Sequence, residues 1–198
     1  MHDHQEQPMS RRDEIAQAAM ELAAEGGGHR LTHRRVDRRL GLPEGTTSNY
    51  ARTRRDLVLL VVARIAGIAH LRPPGAPPAR TVEEAVPQLV EAFEHVAARG
   101  TDIRARMALT IDSLDDAEVY ELLTSASPVR ATILEQAETM LTDLGVPEPH
   151  LRAHDLVAIM NGLFYDRLVG YGRLGTPADA GGVLGAWLRG IGARTREA

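Results

Sequence analysis

Cysteine is absent from the 198 residues, and lysine with it: all 23 basic residues are arginine. Without thiols there is neither a disulfide framework nor a thiolate metal site. Aromatic side chains make up only 4% of the chain, while alanine, leucine and valine abound, so a core of aliphatic side chains on helices is expected rather than aromatic-rich strands. Long hydrophobic runs are missing too. The stretch from Val58 to Ala63 is far shorter than the roughly 20 apolar residues of a bilayer-crossing helix, and the start Met1-His2-Asp3-His4 has neither the basic nor the apolar region of a secretory signal. A cytoplasmic protein with no membrane partner is expected.

What is present suffices for one substantial core, or for a small module attached to a larger one. The net charge of −4 argues by itself against a nucleic-acid partner, but the charge is unevenly placed. Ser10 to Arg55 carries ten arginines against six acids, whereas Asp56 to Ala198 carries thirteen against nineteen. A basic N-terminal module on an acidic body suits a phosphate-binding surface confined to one end.

Periodicity gives helices and no strands. Ser10 and Asp13 cap a first helix with Ile15, Ala18, Ala19, Leu22 and Ala23 on one face, stopped by Gly26-Gly27-Gly28. A second runs from the cap Thr32 to Leu40, Gly41 permits a sharp turn, and a third starts near Pro43 and ends around Ala51. Arg54 to Leu71 carries an apolar stripe and ends at the break Arg72-Pro73-Pro74-Gly75-Ala76-Pro77-Pro78. Thr81 and Glu84 form a capping box for a helix through Arg99, with Pro87 a candidate kink. Further helices are expected at about 102–114, 116–125, 128–144, 150–170 and 177–194.

The stretch 32–55 bears most directly on function. Two short helices meeting at a glycine, rich in arginine and small polar side chains, suit a helix-turn-helix, whose second helix enters the major groove while flanking groups grip phosphates. Glu44, Thr46, Thr47, Ser48, Asn49 and Tyr50 fit the groove-reading part. Thr32 offers a hydroxyl and free amides to a phosphate, and Arg54 and Arg55 open the next helix where they would hold the same strand.

Together, the capped first helix, the glycine break, Leu31-Thr32, the turn Leu40-Gly41-Leu42-Pro43, Gly45-Thr46-Thr47-Ser48-Asn49-Tyr50 and Arg54-Arg55-Asp56-Leu57 resemble the DNA-binding domain of the TetR family of transcriptional regulators. The resemblance covers residues 10–60. It implies an all-α fold with a flexible arm at 1–9, a three-helix helix-turn-helix domain at 10–55 and a larger ligand-sensing and dimerisation domain at 56–198. It places Thr32 and His33 at phosphate-contact positions and Arg34 within reach of a base. Glu44, Gly45 and Thr46 fall at the start of the recognition helix, Ser48 and Tyr50 at its later contact positions, and Arg54 against the DNA backbone, while Asn49 can reach an adenine edge. Three residues depart from the pattern: Asp37 stands in place of a small residue, Thr47 of an apolar one and Ala51 of an aromatic one.

The implied function is that of a homodimeric repressor released from a palindromic double-stranded operator by a small-molecule effector, with no enzyme activity, cofactor or metal. Candidate effector contacts are Phe93, Met107, Ile111, Met140, Met160, Phe164 and Tyr165, with Arg104 or Arg106 to meet an acidic group. The last two helices are the candidate dimer interface, through Leu163 and Leu168 on one and Gly181, Gly182, Leu184, Gly185, Trp187, Leu188 and Ile191 on the other, because interior glycines there suggest close backbone contact. Two rival readings remain. One is a helix-turn-helix regulator without a ligand. The other is a helical metal protein or enzyme using His150 and His154, spaced i, i+4 beside Asp155.

Overall fold

A computed structural model describes residues 9–68, 70–71 and 75–196. The predicted arm lies outside the described residues apart from Met9, as does the centre of the Pro-rich break, Arg72-Pro73-Pro74. Among the described residues the fold is all-helical, with no strand. Its nine α-helices are α1 (Arg11–Gly26), α2 (His33–Arg39), α3 (Arg54–Ala66), α4 (Val82–Arg99), α5 (Thr101–Asp112), α6 (Ala117–Leu123), α7 (Pro128–Asp143), α8 (Pro149–Leu168) and α9 (Ala180–Gly190). Short 3-10 turns occupy Thr47–Asn49 and Tyr171–Arg173.

The N-terminal helices form for the local reasons the sequence carries. Ser10 accepts the Asp13 amide at the start of α1, whose five expected apolar residues are all buried. Thr32 caps α2 through the Arg35 amide. Asp56 and Thr53 form a reciprocal capping box on α3, Thr53 Oγ1 accepting from the Asp56 amide and the Asp56 carboxylate from the Thr53 amide. That helix ends at Ala66, capped by Gly67, several residues before the expected Leu71. At α4 the expected capping box does not close: Glu84 instead accepts the Arg80 amide at 2.8 Å, and the Thr81 hydroxyl is buried without a partner. The helix is continuous through Pro87.

Side chains pack into two apolar cores. One joins α1, α2 and α3, and its walls are completed by Ala105 and Leu109 of α5 and Val119 and Leu123 of α6. The other is built on α4, α7, α8 and α9, with Phe93 and Phe164 stacked at 4.8 Å between ring centroids. Helix α5 is therefore the shared element. Its Ile103 belongs to the second core, while Ala105 and Leu109 belong to the first.

Candidate nucleic-acid interface and ligand cavity

The chain between α2 and α3 departs from the expected helix of residues 43–51. Gly45 lies at φ 90°, a left-handed conformation that costs glycine nothing and ends any regular helix begun at Pro43. Beyond it the backbone is tightened into i→i−3 bonds, Ser48 to Gly45, Asn49 to Thr46 and Tyr50 to Thr47. The result is a single helical turn over Thr46–Tyr50. Glu44 and Gly45, expected at the start of the recognition helix, precede it instead.

Asp37 is the reason for this geometry. It is 2% exposed, and its carboxylate accepts the Gly45 amide at 2.8 Å, the Thr47 amide at 2.8 Å and the Thr47 hydroxyl at 2.5 Å. Two of the three departures from the family pattern are thus one device, because the buried acid and the buried hydroxyl satisfy each other. Burial pulls the Asp37 carboxyl upward, but the Thr47 hydroxyl, the Thr47 and Gly45 amides and the nearby His33 together hold it below its ordinary 3.8. The third departure also finds a role. Ala51 is buried, and its carbonyl oxygen lies 2.7 Å from His33 Nε2. His33 is thereby turned inward to pin the end of the turn rather than presented outward.

The remaining predicted contact residues are exposed on one stretch of surface: Thr32, Arg34, Ser48, Asn49 and Tyr50, with Thr46 half-buried. Arg34 Nε lies 2.8 Å from Glu44, both side chains largely solvated. Arg54 is exposed at the start of α3, where its guanidinium passes so close to Gly28 that a side chain there would collide with it. Arg55 pairs with Glu118 of α6. Arg35, Arg38 and Arg52 are exposed in the same region and, among the described residues, have no carboxylate within salt-bridge reach. Sequence alone does not single them out, although the basic run 34–39 contains two of them. Arg39 differs, since Glu25 and Glu21 tie it to α1.

A cavity of about 700 Å³ opens between α4, α5, α6, α7 and α8. Of the expected effector contacts, Met160 and Phe164 line it. Phe93 and Met140 are packed in the core behind, and Met107 is partly buried against that core. Ile111 and Tyr165 are 65% and 55% exposed and do not face the cavity, nor does Arg104. Two arginines stand in the wall, Arg106 and Arg130, and Arg106 donates to Asn161 Oδ1 at 2.6 Å. Arg106 shares one face of α5 with Asp102 and Thr110, each four residues away. Asp102 is held by Arg99 at 2.8 Å, and its second carboxylate oxygen is buried without a partner.

The expected interface residues divide. Leu184 and Leu188 are fully buried inside the protomer, and Leu163, Leu168 and Gly185 are buried with them, so intramolecular packing takes these five out of any exposed interface. Trp187 and Ile191 are partly buried against the same core. Gly181 is half-buried and Gly182 exposed. A methyl at Gly181 would meet Val90 only at an ordinary 3.6 Å, and one at Gly190 would meet nothing, so contacts within the protomer do not require these glycines.

The family description "Tetracyclin repressor-like, C-terminal domain" matches residues 80–192. The chain belongs to the TetR family of transcriptional regulators. Its fold is similar to that of a transcriptional regulator from Rhodococcus sp. RHA1, with a TM-score of 0.76 at 20% identity over 95% of this chain and 100% of the other. A transcriptional regulator from Pseudomonas aeruginosa PAO1 aligns with a TM-score of 0.71 at 16% identity, over 94% of this chain and 92% of the other. A TetR-family transcriptional regulator from Rhodococcus sp. aligns with a TM-score of 0.69 at 15% identity, over 91% of this chain and 97% of the other. No curated protein matches the sequence.

In this TetR-family chain two helices of the cavity wall also touch the N-terminal unit that carries the helix-turn-helix. The Asp112 carboxylate, at the end of α5, accepts the Gly28 amide, and Glu118 of α6 holds Arg55 of α3. Both helices also line the cavity. At the rival metal site, Arg130 lies 3.0 Å from His154 Nδ1 and so occupies one of the two ring nitrogens through which that histidine could ligate a metal. Among the described residues no three His, Asp or Glu side chains gather as metal ligands, and no helix is long and apolar enough to cross a membrane.

Proposed function

We propose that the protein is a homodimeric repressor that holds an inverted-repeat operator through Thr32, Arg34 and the Thr46–Tyr50 turn, and is released by a small molecule bound in the cavity. The observation that carries this reading is that α5 and α6 form part of the cavity wall and also hold Gly28 and Arg55 of the N-terminal unit. A ligand that favours one spacing of these helices must bias the position of the helix-turn-helix, provided it binds the two arrangements unequally. Arg35, Arg38, Arg52 and Arg54 supply phosphate neutralisation around the turn, and Arg34, freed from Glu44, reads a base.

Dimerisation is supported by two exposed rows. On α8, Ala158, Gly162 and Tyr165 share a face, with exposed Val169 just past its end, and on α9 Val183, Ala186 and Gly190 do. Small residues in both rows let helices from two protomers approach closely, which accounts for glycines that packing inside one protomer leaves unexplained. The interface is therefore assigned to these outward residues.

Binding to duplex DNA, followed by fluorescence anisotropy, should weaken steeply between low and moderate salt as counterions are released. Arg54→Ala should lower affinity for all sequences about equally and reduce the salt slope by about 1, whereas Arg34→Ala should cost about 1–3 kcal/mol and relax base choice at one position. An affinity insensitive to salt would sink the DNA-binding surface. A change of sequence preference in Arg54→Ala alone would reverse the two role assignments.

A further inference from the structure

Resting on the ligand-released reading, the geometry points to an organic carboxylate as the effector, its carboxylate held by Arg106 and its apolar body lying along Val157, Met160 and Phe164. Arg106 is half-buried in the cavity wall, and among the described residues no carboxylate stands within salt-bridge distance of it. Its one side-chain hydrogen bond there goes to the neutral Asn161 amide oxygen at 2.6 Å. A guanidinium presents five donors in a planar fork, and a carboxylate satisfies two of them at once. Burying that charge without an anion is costly, so an anionic ligand gains what a neutral one of equal shape does not.

The other charged groups of the cavity fit this assignment. Asp102 is the acid nearest in sequence on the same face, and Arg99 already meets its charge. Glu121 is exposed, and Arg130 adds a second cation to the wall beside Ser127 and Val129. Burial lowers the pKa of Arg106, as does Arg130, while Asp102 opposes them. An incoming carboxylate would compensate two neighbouring cations rather than one. The cavity volume of about 700 Å³ suits a body of drug-like size.

The test is calorimetric titration of the full chain with octanoate, dodecanoate and phenylbutanoate, each beside its primary amide, and with dodecylamine as a cationic control. At least one carboxylate should bind about tenfold or more tightly than its amide. Arg106→Gln should abolish that preference. Asn161→Asp should do so as well, by supplying Arg106 with an internal anion, and it keeps the test valid should Arg106→Gln fail to fold. Equal binding of amide and acid, or a preference that survives in both variants, overturns the carboxylate assignment while leaving a ligand cavity in place. Binding of dodecylamine or the amides without the acids overturns it in the same way. Failure of all these probes, acid, amide and amine alike, overturns the carboxylate assignment, while the contacts of α5 and α6 with the N-terminal unit stand apart from that result.

Discussion

Replacing Asp37 with alanine is expected to destabilise the protein by about 3 kcal/mol and to abolish specific duplex binding, because it strands buried donors at roughly 1–3 kcal/mol each. The Gly45 amide, the Thr47 amide and the Thr47 hydroxyl all lose their acceptor, and Thr47 is 0% exposed, so water cannot replace the carboxylate without opening the turn. Thr47→Val alone should cost less, since it removes one donor and leaves the two amides bonded. In the double variant the costs should fall short of their sum by about 1 kcal/mol or more. Urea denaturation gives the stabilities, and anisotropy with a fixed duplex gives the loss of binding. Acid provides an independent check. The Asp37 carboxyl is held below its ordinary 3.8, so its contribution is complete above that pH and is lost as the pH falls through the lower native value. Asp37→Asn should therefore flatten the stability profile below about pH 4 and leave its shape at neutral pH unchanged. An alanine variant with native stability and native DNA affinity would show that the turn is held by something else.

Leu109→Ala should cost about 3 kcal/mol, within the 2–5 kcal/mol typical of a large-to-small change in a packed core. Leu109 is fully buried where α5 completes the core of α1, α2 and α3. Its loss thus weakens the packing that joins the N-terminal unit to the cavity wall, as well as one helix. The single tryptophan, Trp187 on α9, sits against the other core and reports on that part of the molecule, whereas far-UV circular dichroism reports on all the helices. In the native sequence the two signals should fall together in urea, because α5 contributes to both cores. In Leu109→Ala the dichroism should begin to fall first, as the N-terminal unit loosens ahead of the Trp187 region. Coincident transitions in the variant would mean that α5 does not couple the cores in the way described.

Much of the helical order was legible because it rests on local signals. The cap at Ser10, the threonine before α2 and the apolar stripes of α4 and α8 each act within a few residues of themselves. The turn at Thr46–Tyr50 was not, because its shape is set from outside. Gly45 takes a left-handed conformation, and the acceptor that holds the Gly45 and Thr47 amides lies back on α2 at Asp37. The signal was present as two anomalies, an acid and a threonine at positions expected to be small and apolar, and taken as a pair they specify each other. The setting of His33 was hidden for a related reason, since a helix-start histidine gives no sign that its ring turns back to Ala51. In the cavity, Met160 and Phe164 were legible, but hydrophobicity could not separate lining residues from the core behind them. The choice between Arg104 and Arg106 follows from helix phase, because Arg106 repeats at four residues from both Asp102 and Thr110.

The claim on which the rest depends is that two copies of the Thr46–Tyr50 turn read a symmetric duplex. Selection of bound fragments from a pool of random-sequence double-stranded DNA, followed by sequencing, tests it with no operator sequence assumed. An inverted repeat should emerge whose half-site centres are about 10 base pairs, one helical turn, or a multiple of that apart. A pool that shows no enrichment, or that converges on a single unrepeated motif, would contradict the account.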